Sequence, residues 1–300
     1  MMKRVYFLVF IFISVFTVGQ KKKVLLIGID GLQFEQIAKT NTPNFDEFTI
    51  KKGYNGGLFG TKSQQVTSSG PSWVTILTGV WTDKHGIKSN SSSQVSKSKS
   101  IFSFIKSEKP KLKTASFSTW KNINLLLYKD MYGVDFTTQG GNDEISTEIA
   151  LNHIKNIGPD FTFIHLDDID HAGHAVGFGV DYSKAIVKVD KQIGALLKVV
   201  KKREKKYNED WLVLLVTDHG RDVNGKGHGN QTITEKTIFI GMNKKGNPYF
   251  QGLKNTAMYE SLKELEMNAI PQTALVPTIL NYLGIKIKYE WNLDSTSLIK

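Results

Sequence analysis

Three aspartates and three histidines stand in glycine-rich turns that follow apolar stretches of this sequence. They are Asp30 in Gly-Ile-Asp-Gly-Leu, Asp170 and His174 in Asp-His-Ala-Gly-His, Asp218 and His219 in Thr-Asp-His-Gly, and His228 in Gly-Lys-Gly-His-Gly. Carboxylate oxygen and imidazole nitrogen are typical donors to Zn²⁺. Neighbouring glycines let the backbone bend so that residues as close as Asp218 and His219 can both point inward. Alone, each fragment says little, because an Asp at a strand end usually caps a turn and a lone His is usually an ordinary surface or core residue. Together they say more: four of the seven histidines, at 171, 174, 219 and 228, cluster in two such segments.

A second constellation is Thr67-Ser68-Ser69-Gly70-Pro71-Ser72-Trp73, running into Val74–Thr78 and Gly79. Pro71 suits a first helical turn and Gly79 a C-terminal stop. Ser69 is then placed just ahead of a helix N-terminus, where free N–H groups and partial positive charge favour an anion. A serine hydroxyl becomes a useful nucleophile when a bound dication lowers its pKa. The competing reading is an N-cap serine, and Thr67 and Ser68 are open to either role.

Strands must carry these turns. The candidates are Lys23–Asp30, Lys113–Thr119, Phe161–Asp167, Trp211–Asp218 and Lys236–Met242. Val24–Ile29, Phe161–Leu166 and Leu212–Val216 are nearly all apolar, as strands buried on both faces are. Helical patterns lie between them. Thr42-Pro43 leads into a helix over Asn44–Lys51. Glu144–Asn156 aligns Ile145, Ile149, Ile154 and Ile157, Tyr182–Lys206 aligns Ile186, Val189, Ile193 and Leu197, and Gln272–Tyr282 ends before Gly284. Alternating strand and helix predict a three-layer α/β/α sandwich with a mostly parallel central sheet. Ligands in such sheets gather at the carboxyl ends of strands, where the six residues stand. Ser89–Ser100 reads as a surface loop.

The chain has 300 residues and no cysteine, which excludes disulfides, thiolate metal sites and a lipid-modified cysteine. Lys3 and Arg4 precede an apolar run from Val5 to Val18, with small residues Thr17 and Gly19 ahead of a possible cut before Gln20. This pattern reads as a signal peptide over residues 1–19, followed by a single catalytic domain over 20–300 and export to the periplasm or the outside. The run is shorter than the roughly 20 residues that span a bilayer, although retention as an anchor is the alternative. No later run is long enough to span. The net charge of +11 is concentrated in lysine runs without interleaved aromatics, so a nucleic-acid polymer is not inferred. Solvated lysine is the plain reading of these runs, and attraction of anionic substrates the sharper one.

These motifs in this order resemble the alkaline phosphatase superfamily, and within it the type I phosphodiesterase/nucleotide pyrophosphatase branch. The resemblance runs through Gly28-Ile-Asp30-Gly-Leu, Ser69 to Gly79, Asp83-Lys-His85-Gly-Ile87, Asp170 to His174, Thr217 to Gly220, Lys226-Gly-His228-Gly and the closing segment Ile270 to Ile285. It implies that Asp30, Ser69, Asp218 and His219 hold one metal ion and Asp170, His174 and His228 another. Both ions are expected to be zinc. It also implies hydrolysis of a small-molecule phosphate ester through a covalent phosphoserine at Ser69. The Asp-x-x-x-His spacing favours His174 over His171 as ligand.

Two positions depart from the branch, which usually has threonine where this chain has Ser69 and asparagine where it has Ser72. The missing amide removes a donor for a phosphate oxygen and keeps a phosphomonoesterase open beside a phosphodiesterase. Ser72, Trp73 and Trp120, with Lys121 and Asn122, are candidates for the substrate pocket, and core packing is the competing reading for the tryptophans. A sulfatase is the nearest rival, but such enzymes place arginine where Trp73 stands. The superfamily's phosphosugar mutases need an inserted domain for which there is no room. A pseudo-enzyme is the non-catalytic alternative, and two retained metal ions would argue against it.

Overall fold

The structure is a computed structural model that describes residues 19–138 and 140–300. The apolar run from Val5 to Val18 lies outside the described residues. Among them no helix is long and apolar enough to cross a membrane.

Eight strands form one sheet in the order β4-β3-β5-β1-β6-β7-β2-β8. They are β1 (Lys21–Ile29), β2 (Thr49–Tyr54), β3 (Thr114–Ser118), β4 (Phe136–Thr137), β5 (Phe161–Leu166), β6 (Glu209–Val216), β7 (Thr237–Met242) and β8 (Ile270–Pro271). Only β7 pairs antiparallel with both neighbours, and the other pairs are parallel. The expected mixed α/β architecture with a mostly parallel sheet is therefore present.

Alternation along the strands divides the core into two layers. Val24, Leu26, Phe161, Phe163, Leu212 and Leu214 face one side, against the helices Ser69–Thr78, Ile101–Glu108 and Leu275–Tyr282. Leu25, Ile27, Ile164, Leu166, Val213 and Leu215 face the other, against Asp143–Asn156 and Val180–Tyr207. Both faces of β1, β5 and β6 are covered, which is why Val24–Ile29, Phe161–Leu166 and Leu212–Val216 are nearly all apolar. Gly79 ends its helix at φ 73°, as its type predicts.

Three local expectations are corrected. The helix expected over Asn44–Lys51 is a single 3₁₀ turn, Phe45–Glu47, followed by β2. The β2 lysines hid the strand, because Lys52 is buried against Glu35 at 2.6 Å. Lys236 closes a short helix, Ile233–Lys236, and the strand starts at Thr237. Helix Asp143–Asn156 buries Ser146, Thr147, Ala150 and Ile154, while Ile145 and Ile157 are exposed. Asp143 sets this phase by accepting backbone N–H bonds from Asp167 (2.7 Å) and Asp168 (2.9 Å).

His85 ties the helix Ser69–Thr78 to the following loop. It is fully buried, pairs with Thr75 Oγ1 at 2.9 Å, and accepts the Ile87 N–H at 3.0 Å. Burial pushes its pKa down to about 3. In the unfolded chain it titrates near ~6.5, so its neutral form stabilises the fold above that pH. That stability drains as pH falls toward 3, by about 1.4 kcal/mol per unit. Urea titrations across this window should show the slope, and His85→Gln should reduce it by one proton's worth.

Candidate metal centre and nucleophile

The three central strands β5, β1 and β6 end side by side and deliver the acidic and imidazole groups to one edge. Asp30 follows β1, with its N–H bonded to Leu166 O at 2.8 Å. Asp170 and His174 lie one turn apart on the helix Asp168–Val176 after β5. Asp218 and His219 follow β6, and His228 returns from the next loop. Gly31, at φ 61°, makes the tight turn beyond Asp30.

An inner group comprises Asp30, Asp218 and His219, whose ligand atoms lie within 4.8 Å of one another. His219 Nδ1 faces Gly220 O at 3.0 Å. Donation there fixes the tautomer and turns the Nε2 lone pair toward Asp30 Oδ1 and Asp218 Oδ2, both at 3.4 Å. Asp218 Oδ1 accepts the Gly31 N–H at 3.2 Å, while its Oδ2 is buried with no hydrogen-bond partner. Burial and the neighbouring Asp170 charge raise the Asp30 pKa to about 7, and burial with the Asp30 charge raises Asp218 well above the usual range. Burial also lowers His219 well below its usual value. An orphaned carboxyl oxygen, a second buried carboxyl group and a bare imidazole nitrogen fit a divalent cation.

An outer group adjoins it. Asp170, His219 and His228 also bring ligand atoms within 4.8 Å of one another. His174 Nε2 lies 3.1 Å from Asp170 Oδ2 and 3.1 Å from His228 Nε2. His228 Nδ1 is held by Thr67 O at 2.9 Å, so its Nε2 also points inward. The His219 and His228 rings stack with centroids 3.8 Å apart. Burial opposes ionisation of Asp170, but the His174 hydrogen bond and the Arg221 guanidinium hold its pKa below the usual carboxylate range.

Ser69 sits between these groups and the helix. It is the first residue of Ser69–Thr78, Ser68 being the N-cap. Its Oγ lies 3.5 Å from Asp30 Oδ1 and 3.3 Å from His219 Nε2. Thr67 is otherwise engaged, donating to Glu235 and accepting from Gly229 and Gln231. Gly70 is needed here, since a Cβ would lie 2.6 Å from Ser89 O, and its N–H donates to Asn90 Oδ1 at 2.7 Å.

The sequence profile of the Type I phosphodiesterase / nucleotide pyrophosphatase family matches residues 24–123 and 127–270. The chain belongs to this family. It is thereby a member of the alkaline phosphatase superfamily. Among curated proteins, mouse GPI ethanolamine phosphate transferase 3, catalytic subunit, is 27% identical over 131 residues, which is 43% of this chain and 10% of that protein. This chain thus spans only a small part of that relative. Among solved structures, human ectonucleotide pyrophosphatase / phosphodiesterase 5 is similar at TM-score 0.63 and 14% identity, covering 89% of this chain and 96% of that one. BT4656, solved in complex with its substrate D-glucosamine-2-N,6-O-disulfate, is similar at 0.62 and 13%, covering 93% and 79%. At these identities the structures show the fold alone.

In this member of the phosphodiesterase family, two suggested substrate contacts lie in the core. Trp73 is fully buried beneath the site, and its Nε1 donates to Asp30 Oδ2 at 2.9 Å. Ser72 is fully buried too, with its Oγ 3.3 Å from Asn55 Nδ2. Neither side chain meets solvent, and both are engaged by hydrogen bonds within the protein. Trp120 is partly exposed and packs against the core, and Asn122 donates to Asn90 O at 3.3 Å. His171 is exposed and 3.5 Å from Asp167, outside the outer group.

Three residues escaped the sequence reading. His165 Nε2 meets Asp30 Oδ2 at 3.0 Å, Arg221 donates to Asp170, and Asn90 covers the helix start. Only His165 left a signal, as an imidazole inside an otherwise apolar strand. Asp30, His165 and Asp167 also cluster. However, His165 Nδ1 receives the Trp120 N–H at 3.4 Å, which leaves its proton on Nε2, aimed at Asp30. His165 therefore serves as a donor that orients a carboxylate. Replacing it with Ala leaves Asp30 Oδ2 to Trp73 alone. Affinity for divalent cations should fall about 10- to 100-fold by calorimetric titration, and Gln, which restores an N–H, should recover part of the loss.

Proposed function

We propose that the chain is a two-metal phosphoryl hydrolase that cleaves phosphodiesters or nucleotide pyrophosphates through a phosphoserine at Ser69. The observation that carries this reading is the Ser69 hydroxyl, at a helix N-terminus, within 3.5 Å of Asp30 Oδ1 and His219 Nε2. Family membership supports it, as does similarity to a relative whose name describes transfer of ethanolamine phosphate.

Asp30, Ser69, Asp218 and His219 would hold one ion, and Asp170, His174 and His228 the other. Carboxylates and imidazoles without thiolate suit zinc. When bound, two such ions lower the pKa of a hydroxyl or water and neutralise phosphoryl oxygens. Ser69 Oγ attacks phosphorus, and the Oγ–P bond forms as the bond to the leaving oxygen breaks. The ten-residue helix beginning at Ser69 directs its positive end at the non-bridging oxygens. Water then forms a new P–O bond as Oγ–P breaks, which restores the serine. The substrate is read as a small-molecule phosphate ester met outside the cytoplasm, by a single catalytic domain over residues 20–300 exported through the signal at residues 1–19.

A fold neighbour described as a 2-O GAG sulfatase keeps a sulfatase as the second reading. Zinc-loaded protein should turn over a nitrophenyl nucleotide diester faster than a nitrophenyl monoester, with an aryl sulfate slowest. A fastest rate on the sulfate replaces this reading. Ser69→Ala should lower ester turnover by about 10³-fold or more, and undiminished turnover removes Ser69 from the mechanism. A chelator should abolish activity and added zinc restore it.

A further inference from the structure

Arg221 is fully buried in a slot made by three ligand-bearing turns. Its Nη1 donates to Asp170 Oδ1, its Nε to Gly225 O, and its Nη2 to Lys226 O at 3.1 Å. A Cβ on Gly31 would lie 2.6 Å from Nη1, and one on Gly173 would lie 2.4 Å from Cζ. The guanidinium thus fills space that only glycine leaves, next to Asp30, between Asp170 and His174, and ahead of His228.

Its charge divides the two metal groups unequally. Asp30 and Asp218 make ion-pair contacts only with histidines among the described residues. The inner group therefore offers two carboxyl groups with no lysine or arginine beside them, which become two uncompensated carboxylates when a cation displaces their protons. In the outer group the single carboxylate, Asp170, is already matched by Arg221, and His174 and His228 are neutral when they ligate. An outer dication accordingly gains less attraction. It is also nearer water, because the His174 side chain is 48% exposed.

We infer, resting on the two-metal reading above, that the inner group loads first and retains its ion, whereas Arg221 keeps the outer site exchangeable until a phosphate-like oxyanion completes its charge. Outer metal and oxyanion then bind cooperatively, each tightening the other by the same factor. Turnover is gated by substrate as well as by metal supply, because an empty outer site is filled most readily when a phosphoryl group is present. Arg221 acts here as a positioning and charge-setting residue and does not touch the substrate.

The test is zinc titration of metal-stripped full-length protein, followed by calorimetry and native mass spectrometry, with and without inorganic phosphate. Two steps are expected, separated by on the order of 100-fold, the scale of one unit charge in a partly buried site. Phosphate should tighten the second step by about tenfold or more and leave the first unchanged. Arg221→Gln should narrow the gap and weaken the phosphate effect, whereas Arg221→Lys, which keeps the charge, should preserve both. Equal steps, or a second step indifferent to phosphate, overturn the inference and leave the two-metal reading standing. Absence of any zinc binding overturns both. If either variant fails to fold, the titration of the unaltered protein decides.

Discussion

The structure turns on two buried carboxyl groups, Asp30 and Asp218, that face each other's field with no lysine or arginine paired to either among the described residues. Removing a charge from water costs several kcal/mol unless an opposite charge receives it. Packing that places two such groups at the ends of adjacent central strands therefore keeps protons on them, as their raised pKa values show, or receives a cation in the protons' place. The sheet imposes that arrangement. β1 and β6 run parallel in register, Gly28 opposite Val216, so Asp30 and Asp218 must emerge together.

The surrounding helices hold the ligands by donating hydrogen bonds, and both layers take part. From one face, Trp73 reaches Asp30, and its ring allows no side chain at Gly28, where a Cβ would lie 2.5 Å away. From the other, the Tyr182 hydroxyl donates to Gly31 O at 2.8 Å and accepts the Gln33 N–H at 2.9 Å. Asn55 at the end of β2 completes the frame by donating to Asp218 O at 2.8 Å. Core and site are in this sense one construction, because residues with no exposure decide which carboxylate oxygen is free.

Much of this was legible in the sequence because its causes are local or periodic. Strands buried on both faces read as unbroken apolar runs, Gly79 marks its own helix end, and the ligand motifs sit directly after the strands that carry them. What escaped depends on distant segments meeting. β2 contains Lys51 and Lys52, and Lys52 is tolerable inside only because Glu35 waits for it. The inward face of Asp143–Asn156 is set by backbone N–H groups of the turn after β5, not by its isoleucines. Trp73 and Ser72 stand close to Ser69 in the chain, but the helix directs them into the core. Arg221 resembles any loop arginine until Gly31, Gly173 and Gly225 are brought around it.

The stacked rings of His219 and His228 carry a consequence for how this centre can change over time. His219 has a place in both groups and His228 in the outer one, and at 3.8 Å each ring is the other's wall. A replacement at either position alters the shape of both ligand groups, so paired replacements here will not combine additively. The two halves of the centre are thus inherited as a unit. Drift toward new chemistry is easier at the rim, around Asn90 and Trp120, than at either ring.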